Sequence, residues 1–515
     1  MLNTEITAPC GVHMDKYRFD LVAISPFHYG DYEMVKSGDK YIYPGNSIAG
    51  ALRQYLENYH SFQLQKDTLL GYFGGVDSSS TFIESKLFIS DGELIIDKEY
   101  ESNLPKYEGT SIEGSTGTAL AHHKYERNYF PMGTVLRFSI TCDLMNGKAY
   151  AKYKHKQNQL NELDTLRKLI QLCANGIQEG ACCFGGEKSN GFGVFHVQDV
   201  YKMDYSFNSI EDIDSYVKLE SFYNFETDQQ VDKKYSVKNE ILASPTHVNS
   251  GIELEMKGAF PYGIYQAYKD DERVYHEGGQ TSELTGVQYR TTHKGEKIYY
   301  IPATSIKGVF RHQVTLLIKR MLLSENYNDN ATDEQSKQQL EEKLNQKVNE
   351  KVNEIFGSTD LQGKLIFYEV ELKDAEPIEV LRAKQNSKSK EEPSTTPAYI
   401  KIDRLTGGVI DGAIKYQREM YSDDVNIKVK VKIDQLNQKS HLQYVFPLIY
   451  VMQQVGLGKL PLGGRTAIGL GQFSASELKI ADSEHVQPTP VALDKLVESE
   501  EIREYYNLFE GWLKK

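Results

Sequence analysis

The sequence is poor in the features that mark several common protein classes. It has five cysteines in 515 residues, at positions 10, 142, 173, 182 and 183, with two adjacent and no C-x-x-C pair. That argues against a disulfide framework and a structural zinc site, and for reduced, partly buried thiols. No stretch approaches the roughly 18 uninterrupted apolar residues that a membrane span needs. The opening MLNTEITAPCGVHMDKYRFD lacks the basic start and apolar core of a secretory signal. A cytoplasmic protein with no membrane partner is therefore expected. There is also no basic surplus, since the net charge is −13. Alone this argues against a free-standing nucleic-acid binder, yet it leaves room for a local basic groove, because steering depends on where charges sit. One tryptophan stands against 35 tyrosines and 21 phenylalanines. Tyrosine is amphipathic and suits half-buried sheet faces.

What the chain does have is self-similarity. Hydrophobic residues make up 40% and charged residues 25%, the balance of a folded protein. Residues 42–53 read IYPGNSIAGALR and residues 301–311 read IPATSIKGVFR, so Ser47 aligns with Ser305, Gly50 with Gly308 and Arg53 with Arg311. Later in each half come four glycines at one spacing: Gly185, Gly186, Gly191 and Gly193, then Gly463, Gly464, Gly469 and Gly471. Weaker matches keep the same order. YRFDLVAISPFHYG resembles IELEMKGAFPYG, YFGG with KLFISDGEL resembles IFGS with KLIFYEVEL, and SIEGSTGTALAHHKYER resembles KIDRLTGGVIDGAIKYQR. Motifs repeated in one order point to a duplication. The units are expected over 1–203 and 249–480, joined by an acidic, tyrosine-rich linker over 204–248.

Each unit reads as strand, helix, strand, strand, helix, strand. The helices open at PGNSIAGALRQYLENY and PATSIKGVFRHQVTLLIKRM. FPMGTVLRFSITCDL and VNIKVKVKI alternate as half-buried strands do. That element order is ferredoxin-like, so the fold class is α+β, with two tandem ferredoxin-like domains carrying insertions. Residues 324–354 read as an inserted, exposed helix and residues 384–397 as an inserted solvated loop. Residues 481–515 form a C-terminal extension ending in a short amphipathic helix, with Ile502, Tyr505, Tyr506, Phe509 and Trp512 on the face that packs on the parent domain.

The glycine clusters are the strongest candidate site. Glycine lets a backbone approach a ligand closely, and consecutive free amides make a concavity for anionic oxygens. Lys188 and Arg465 lie inside the two loops and could add charge to phosphate contacts. The alternative is a tight helix-to-strand turn. Neither cluster is a dinucleotide or P-loop motif, because a helix precedes it and G-K-[ST] is absent. Ser47 and Ser305 stand near helix starts, where a hydroxyl can cap amides and the helix end favours phosphate. Arg53 and Arg311 follow two turns later, either in a groove or in solvent.

This combination, P-G-N-S-I-A-G or P-A-T-S-I-K-G near the start of a unit and G-G-x4-G-x-G near its end, resembles the RAMP superfamily of CRISPR-associated proteins. Ile402-Asp403-Arg404-x-Thr406-Gly407 is similar to the I-D-R-x-T-G box of that family's type III backbone subunits, as is Phe356-Gly357 followed by Gly363-x-Leu365. The resemblance implies a modified ferredoxin-like (RRM-like) fold and assembly into a Csm/Cmr-like ribonucleoprotein. Its partners would be a CRISPR RNA held by its phosphates, a target RNA read by guide pairing, and other effector subunits. Lys307 and Arg404 join the RNA-binding candidates on this basis.

Some subunits of the family cut target RNA with an aspartate and a divalent metal, in the loop before the P-G-x-S helix. The resemblance places that role, and loosely held Mg²⁺, on Asp31, with Asp39 second. The corresponding loop of the second unit offers Glu283 and no aspartate, so that unit is expected to bind without cutting. RAMP-type repeat endonucleases instead use a general acid/base histidine, and His28 is the candidate for that alternative. A third alternative is a duplicated scaffold with no RNA role.

Overall fold

The structure is a computed structural model. It describes residues 13–30, 34, 36–58, 66–76, 80–101, 104–112, 119–143, 156–206, 210–211, 214, 236–242, 251–275, 281–291, 296–326, 334–358, 360–377, 398–410, 414–432, 441–481 and 489–515. The chain divides into two compact units, with the boundary between Ser250 and Gly251.

The first unit is organised by the alternation Tyr17, Phe19, Leu21 in strand β1 (His13–Ala23). These residues pair with Ile140, Phe138 and Leu136 of strand β4 (Val135–Asp143), all six facing one core. Strand β5 (Phe195–Ser206) lies on the other side of β1. Strands β2 (Lys40–Tyr43) and β3 (Gly92–Ile95) complete the antiparallel order β5-β1-β4-β3-β2. Two helices cover the apolar face. Helix α1 (Gly45–Asn58) buries Ile48, Leu52 and Tyr55, and helix α3 (Lys156–Gln178) buries Leu166, Ile170, Cys173 and Ile177. Both sets repeat at three or four residues, as a helix packed by one stripe requires. A shorter helix α2 (Lys66–Phe73) lies between β2 and β3 in the chain.

The second unit repeats this plan strand for strand. Its order is β10-β6-β9-β8-β7, from β6 (Ile252–Ile264), β7 (Lys297–Ile301), β8 (Val370–Lys373), β9 (Met420–Val431) and β10 (Glu477–Ala481). Ile252, Leu254 and Met256 face Val431, Val429 and Ile427 across the ladder. Helices α4 (Ala303–Asn326) and α6 (Val445–Gly456) take the places of α1 and α3. A further strand β11 (Thr489–Ala492) pairs outside β10.

Two features depart from the sequence reading. Helix α5 (Glu334–Phe356) buries Val348, Val352, Ile355 and Phe356, while Leu340 remains 50% exposed. Only its first half is a solvated helix. It ends at Phe356-Gly357 as α2 ends at Phe73-Gly74, both glycines having positive φ (88° and 72°), so α5 is a lengthened counterpart of α2 and not an insertion. Residues 204–206 continue β5, and Val237 donates to the Val200 carbonyl at 2.8 Å, with Val237, Ile241 and Leu242 against the first core. The segment read as a linker is thus partly built into the first unit. The C-terminal helix α7 (Glu500–Lys514) packs Ile502, Tyr505, Phe509 and Leu513 into the second core, and the Trp512 indole donates to Glu354 at 3.0 Å. Loop 384–397 lies outside the described residues.

Cys142, Cys173 and Cys182 are free and buried. Burial pushes the Cys173 thiol up to about 12, so it stays protonated and inert. Among the described residues no helix is long and apolar enough to cross a membrane.

Candidate nucleic-acid interface

The two glycine loops are built alike, and their amides face inward. In the first, Gly186 N–H donates to the His28 carbonyl at 2.7 Å, Gly193 N–H to Pro26 at 2.8 Å and Phe184 N–H to Gly193 at 2.9 Å. In the second, Gly464 donates to Tyr265 at 2.7 Å, Gly471 to Gly263 at 2.8 Å and Leu462 to Gly471 at 2.8 Å. Each loop is therefore clamped to the turn that ends the unit's first strand. Gly191 and Gly469 donate within their own loops, to Lys188 at 3.2 Å and Thr466 at 3.1 Å. Gly185 N–H reaches the Tyr43 hydroxyl at 3.0 Å. The expectation that these glycines present a row of free amides to phosphate is corrected. Most of those donors are already satisfied, and the glycines serve close packing. What remains for a ligand is the rim, where the residue after each glycine pair, Glu187 or Arg465, is held left-handed at φ 54° and 56°.

The first loop closes one side of a cleft of about 620 Å³. His28, Tyr29 and Gly30 from the turn after β1 form its floor. Tyr43, Pro44 and Ser47 bring in the end of β2 and the start of α1, and Gly185, Gly186 and Lys188 bring in the loop. Arg127, from the strand Ala119–Asn128, completes it. The cleft thus gathers His28, Ser47, Gly185, Gly186 and Lys188, five of the residues singled out in the sequence. Its charge is cationic, with Arg127 ion-paired to Glu187. Burial pushes the Tyr43 hydroxyl up to about 12, so it remains a neutral partner for Gly185.

Other candidates have different positions. Arg53 donates to the Gly74 carbonyl at 3.1 Å and Arg311 to the Gly357 carbonyl at 3.0 Å. Each arginine fastens the end of the next helix, α2 or α5, where carbonyls lack helical partners. They are structural residues in both units, outside the cleft. Ser47 does not cap α1: its hydroxyl faces Asn46 at 3.4 Å, and the first amide, Gly45, is capped by Asp91 at 2.7 Å. Ser305 is exposed at the matching point of α4, and Lys307 is half-buried beside it. Arg465 stacks on Tyr399 at 4.2 Å and on Tyr265 at 5.8 Å from the ring centres. Arg404 is exposed in the turn between Ile402 and Val409, which bridge each other.

Asp31 lies outside the described residues, next in the chain to the cleft residue Gly30. Asp39 occupies the exposed turn between the strand Lys36–Ser37 and β2, away from the cleft lining. Glu283 is exposed and paired with Lys269 at 2.5 Å, whose hydrogen bond holds the carboxyl below its usual range. Among the described residues no three His, Cys, Asp or Glu side chains converge.

Sequence reasoning missed Arg127, Tyr43 and Asp91. A signal for Arg127 was present: it ends the repeated Tyr-x-Arg element, matched by Arg418.

A family model described as the RAMP superfamily matches residues 20–196, in the first unit, and 241–474, which begins ten residues before the second unit and runs through most of it. No curated protein matches the chain. The matched regions cover most of the sequence and contain both glycine loops and the starts of α1 and α4, so the chain belongs to the RAMP superfamily.

Proposed function

We propose that this chain is a CRISPR RNA-binding subunit of a type III-like effector ribonucleoprotein, working in the cytoplasm in antiviral defence. The two units are read as tandem ferredoxin-like domains, a reading supported by the repeated strand order, in which the last strand, β5 or β10, flanks the first and β4 or β9 lies on its other side. The observation that carries the function is the cleft, where Lys188 and Arg127 meet a helix start beside a rigid loop. Such a site suits the sugar-phosphate backbone of a guide strand. Target RNA and the other effector subunits are the remaining partners. The total charge of −13 is compatible, because only the groove need be basic.

Lys188→Glu is expected to weaken RNA association about tenfold and to lower the slope of log K against log salt by about one. Affinity titrations at several salt concentrations check this. Unchanged affinity and slope would remove Lys188 from the interface.

Cutting of guide-paired target RNA, with Mg²⁺, is proposed for Asp31. In the reconstituted complex, Asp31→Ala is expected to abolish one cut position and leave target binding intact, as read on a sequencing gel. Persistence of every cut rejects the assignment. The second reading, a metal-independent ribonuclease that processes repeat RNA, is favoured by one observation: His28, Lys188 and Tyr43 share the cleft. Cutting of repeat RNA by the isolated chain in chelator, lost in His28→Ala, would make that the function.

A further inference from the structure

The first cleft contains a polar ring atom for which the described hydrogen bonds show no partner. His28 is 5% exposed, held between the end of β1 and the glycine loop. Its Nδ1 lies 2.7 Å from the Asn128 carbonyl oxygen. A carbonyl only accepts, so Nδ1 carries the proton, and in the neutral ring Nε2 is left as an acceptor. None of the described hydrogen bonds uses Nε2, and it is not among the side-chain atoms sealed from solvent without a partner. The ring lines the cleft, close to Lys188 and Arg127.

We infer that His28 reads the ribose 2′-hydroxyl of a nucleotide seated in this cleft, and so makes the first unit prefer RNA to DNA of the same sequence. The inference rests on the RNA-binding reading above. An acceptor needs a donor, and ionised phosphates supply none. The 2′-hydroxyl is the donor that ribose has and deoxyribose lacks. Lys188 and Arg127 serve the neighbouring phosphate, which both nucleic acids share. Among the described residues, the matching place in the second unit holds no equivalent reader. Tyr265 stands in the matching place, its carbonyl taking the Gly464 amide as the His28 carbonyl takes Gly186. Its hydroxyl is already engaged by Thr285 at 2.9 Å and Gln417 at 3.1 Å. Sugar discrimination is therefore assigned to one site per chain.

The test uses the full chain and fluorescence anisotropy with a short single-stranded RNA and a DNA of the same sequence. His28→Ala is expected to weaken RNA binding about tenfold, the worth of one buried hydrogen bond, while DNA binding is unchanged. His28→Gln, whose amide oxygen can accept, should recover part of the loss. Lys188→Ala should weaken both strands by the same factor. The DNA arm guards against a collapsed site, which would lose both. If RNA binds but His28→Ala leaves the RNA-to-DNA ratio unchanged, the inference fails alone. If the RNA is recovered cut by the wild type and intact from His28→Ala, the histidine is catalytic and the inference is replaced by the second reading. A chain that binds no RNA in any form overturns the binding reading and the inference with it.

Discussion

Gly471→Ala is expected to cost about 3–4 kcal/mol of stability, and Gly469→Ala, two residues earlier in the same loop, only about 1–2 kcal/mol. Both glycines have positive φ, 80° and 98°, so both substitutions carry the penalty of a left-handed L-residue. They differ in what the new methyl group meets. At Gly469 it meets nothing within 4 Å. At Gly471 it would stand 1.8 Å from the Leu462 carbonyl oxygen. That oxygen belongs to a backbone anchored by the fully buried Leu462 side chain and by the Leu462 N–H bond to Gly471, so it cannot step aside. Relief requires peeling the loop from the end of β6, with loss of the Gly471 and Gly464 bonds to Gly263 and Tyr265. Gly193→Ala in the first unit should behave as Gly471→Ala does, since its methyl would lie 1.8 Å from the Phe184 carbonyl. There the damage extends to the cleft, because Gly185, Gly186 and Lys188 ride on the same loop. Urea denaturation followed by circular dichroism measures the pair. Equal costs at 469 and 471 would show that dihedral preference alone, and not the clamp, demands the glycines.

The duplication was legible in the sequence because its signals are local. Two Ser-Ile-x-Gly segments open matching helices, and two four-glycine clusters close matching loops. The alternation in β1 and β9 likewise gives away which residues face the core. The roles of Arg53 and Arg311 were not legible, because each bonds a carbonyl far along the chain, Gly74 or Gly357. A sequence displays an arginine's charge and hides the backbone oxygen it answers. The same limit applies to the glycines. Their spacing identifies a loop, but whether its amides face a ligand or the strand end depends on packing. Helix α5 shows a third kind of limit. Leu344, Val348 and Val352 are spaced as a buried stripe, yet the polar residues between them suggested full exposure. The stripe was the better guide.

On the face of β1 opposite the apolar core, Asp20→Ala should lower stability by about 3–5 kcal/mol, the cost of breaking a buried charge cluster from one side. Asp20 accepts from Arg18 Nη2 at 3.1 Å and from Arg137 Nε and Nη2 at 3.0 and 2.9 Å. Burial works to lower the Arg137 pKa, and the Asp20 carboxylate outweighs it, so the net shift is upward. Arg18 is the more exposed to harm from the substitution, because its side chain is only 2% accessible and lies over the Tyr201 ring at 4.2 Å. Arg137, 22% accessible, can turn to water. Losing Asp20 therefore takes a carboxylate from beside the buried Arg18 charge. The second variant separates this account from simple loss of packing. Arg18→Leu combined with Asp20→Ala removes both charges and should recover most of the stability, since well-packed apolar groups replace buried ion pairs at little cost. Urea midpoints of the wild type, the single variant and the double variant form the comparison. A double variant no more stable than Asp20→Ala would place the cost in lost contacts instead of the stranded charge, and a single variant within about 0.5 kcal/mol of wild type would remove the cluster from the stability of the sheet.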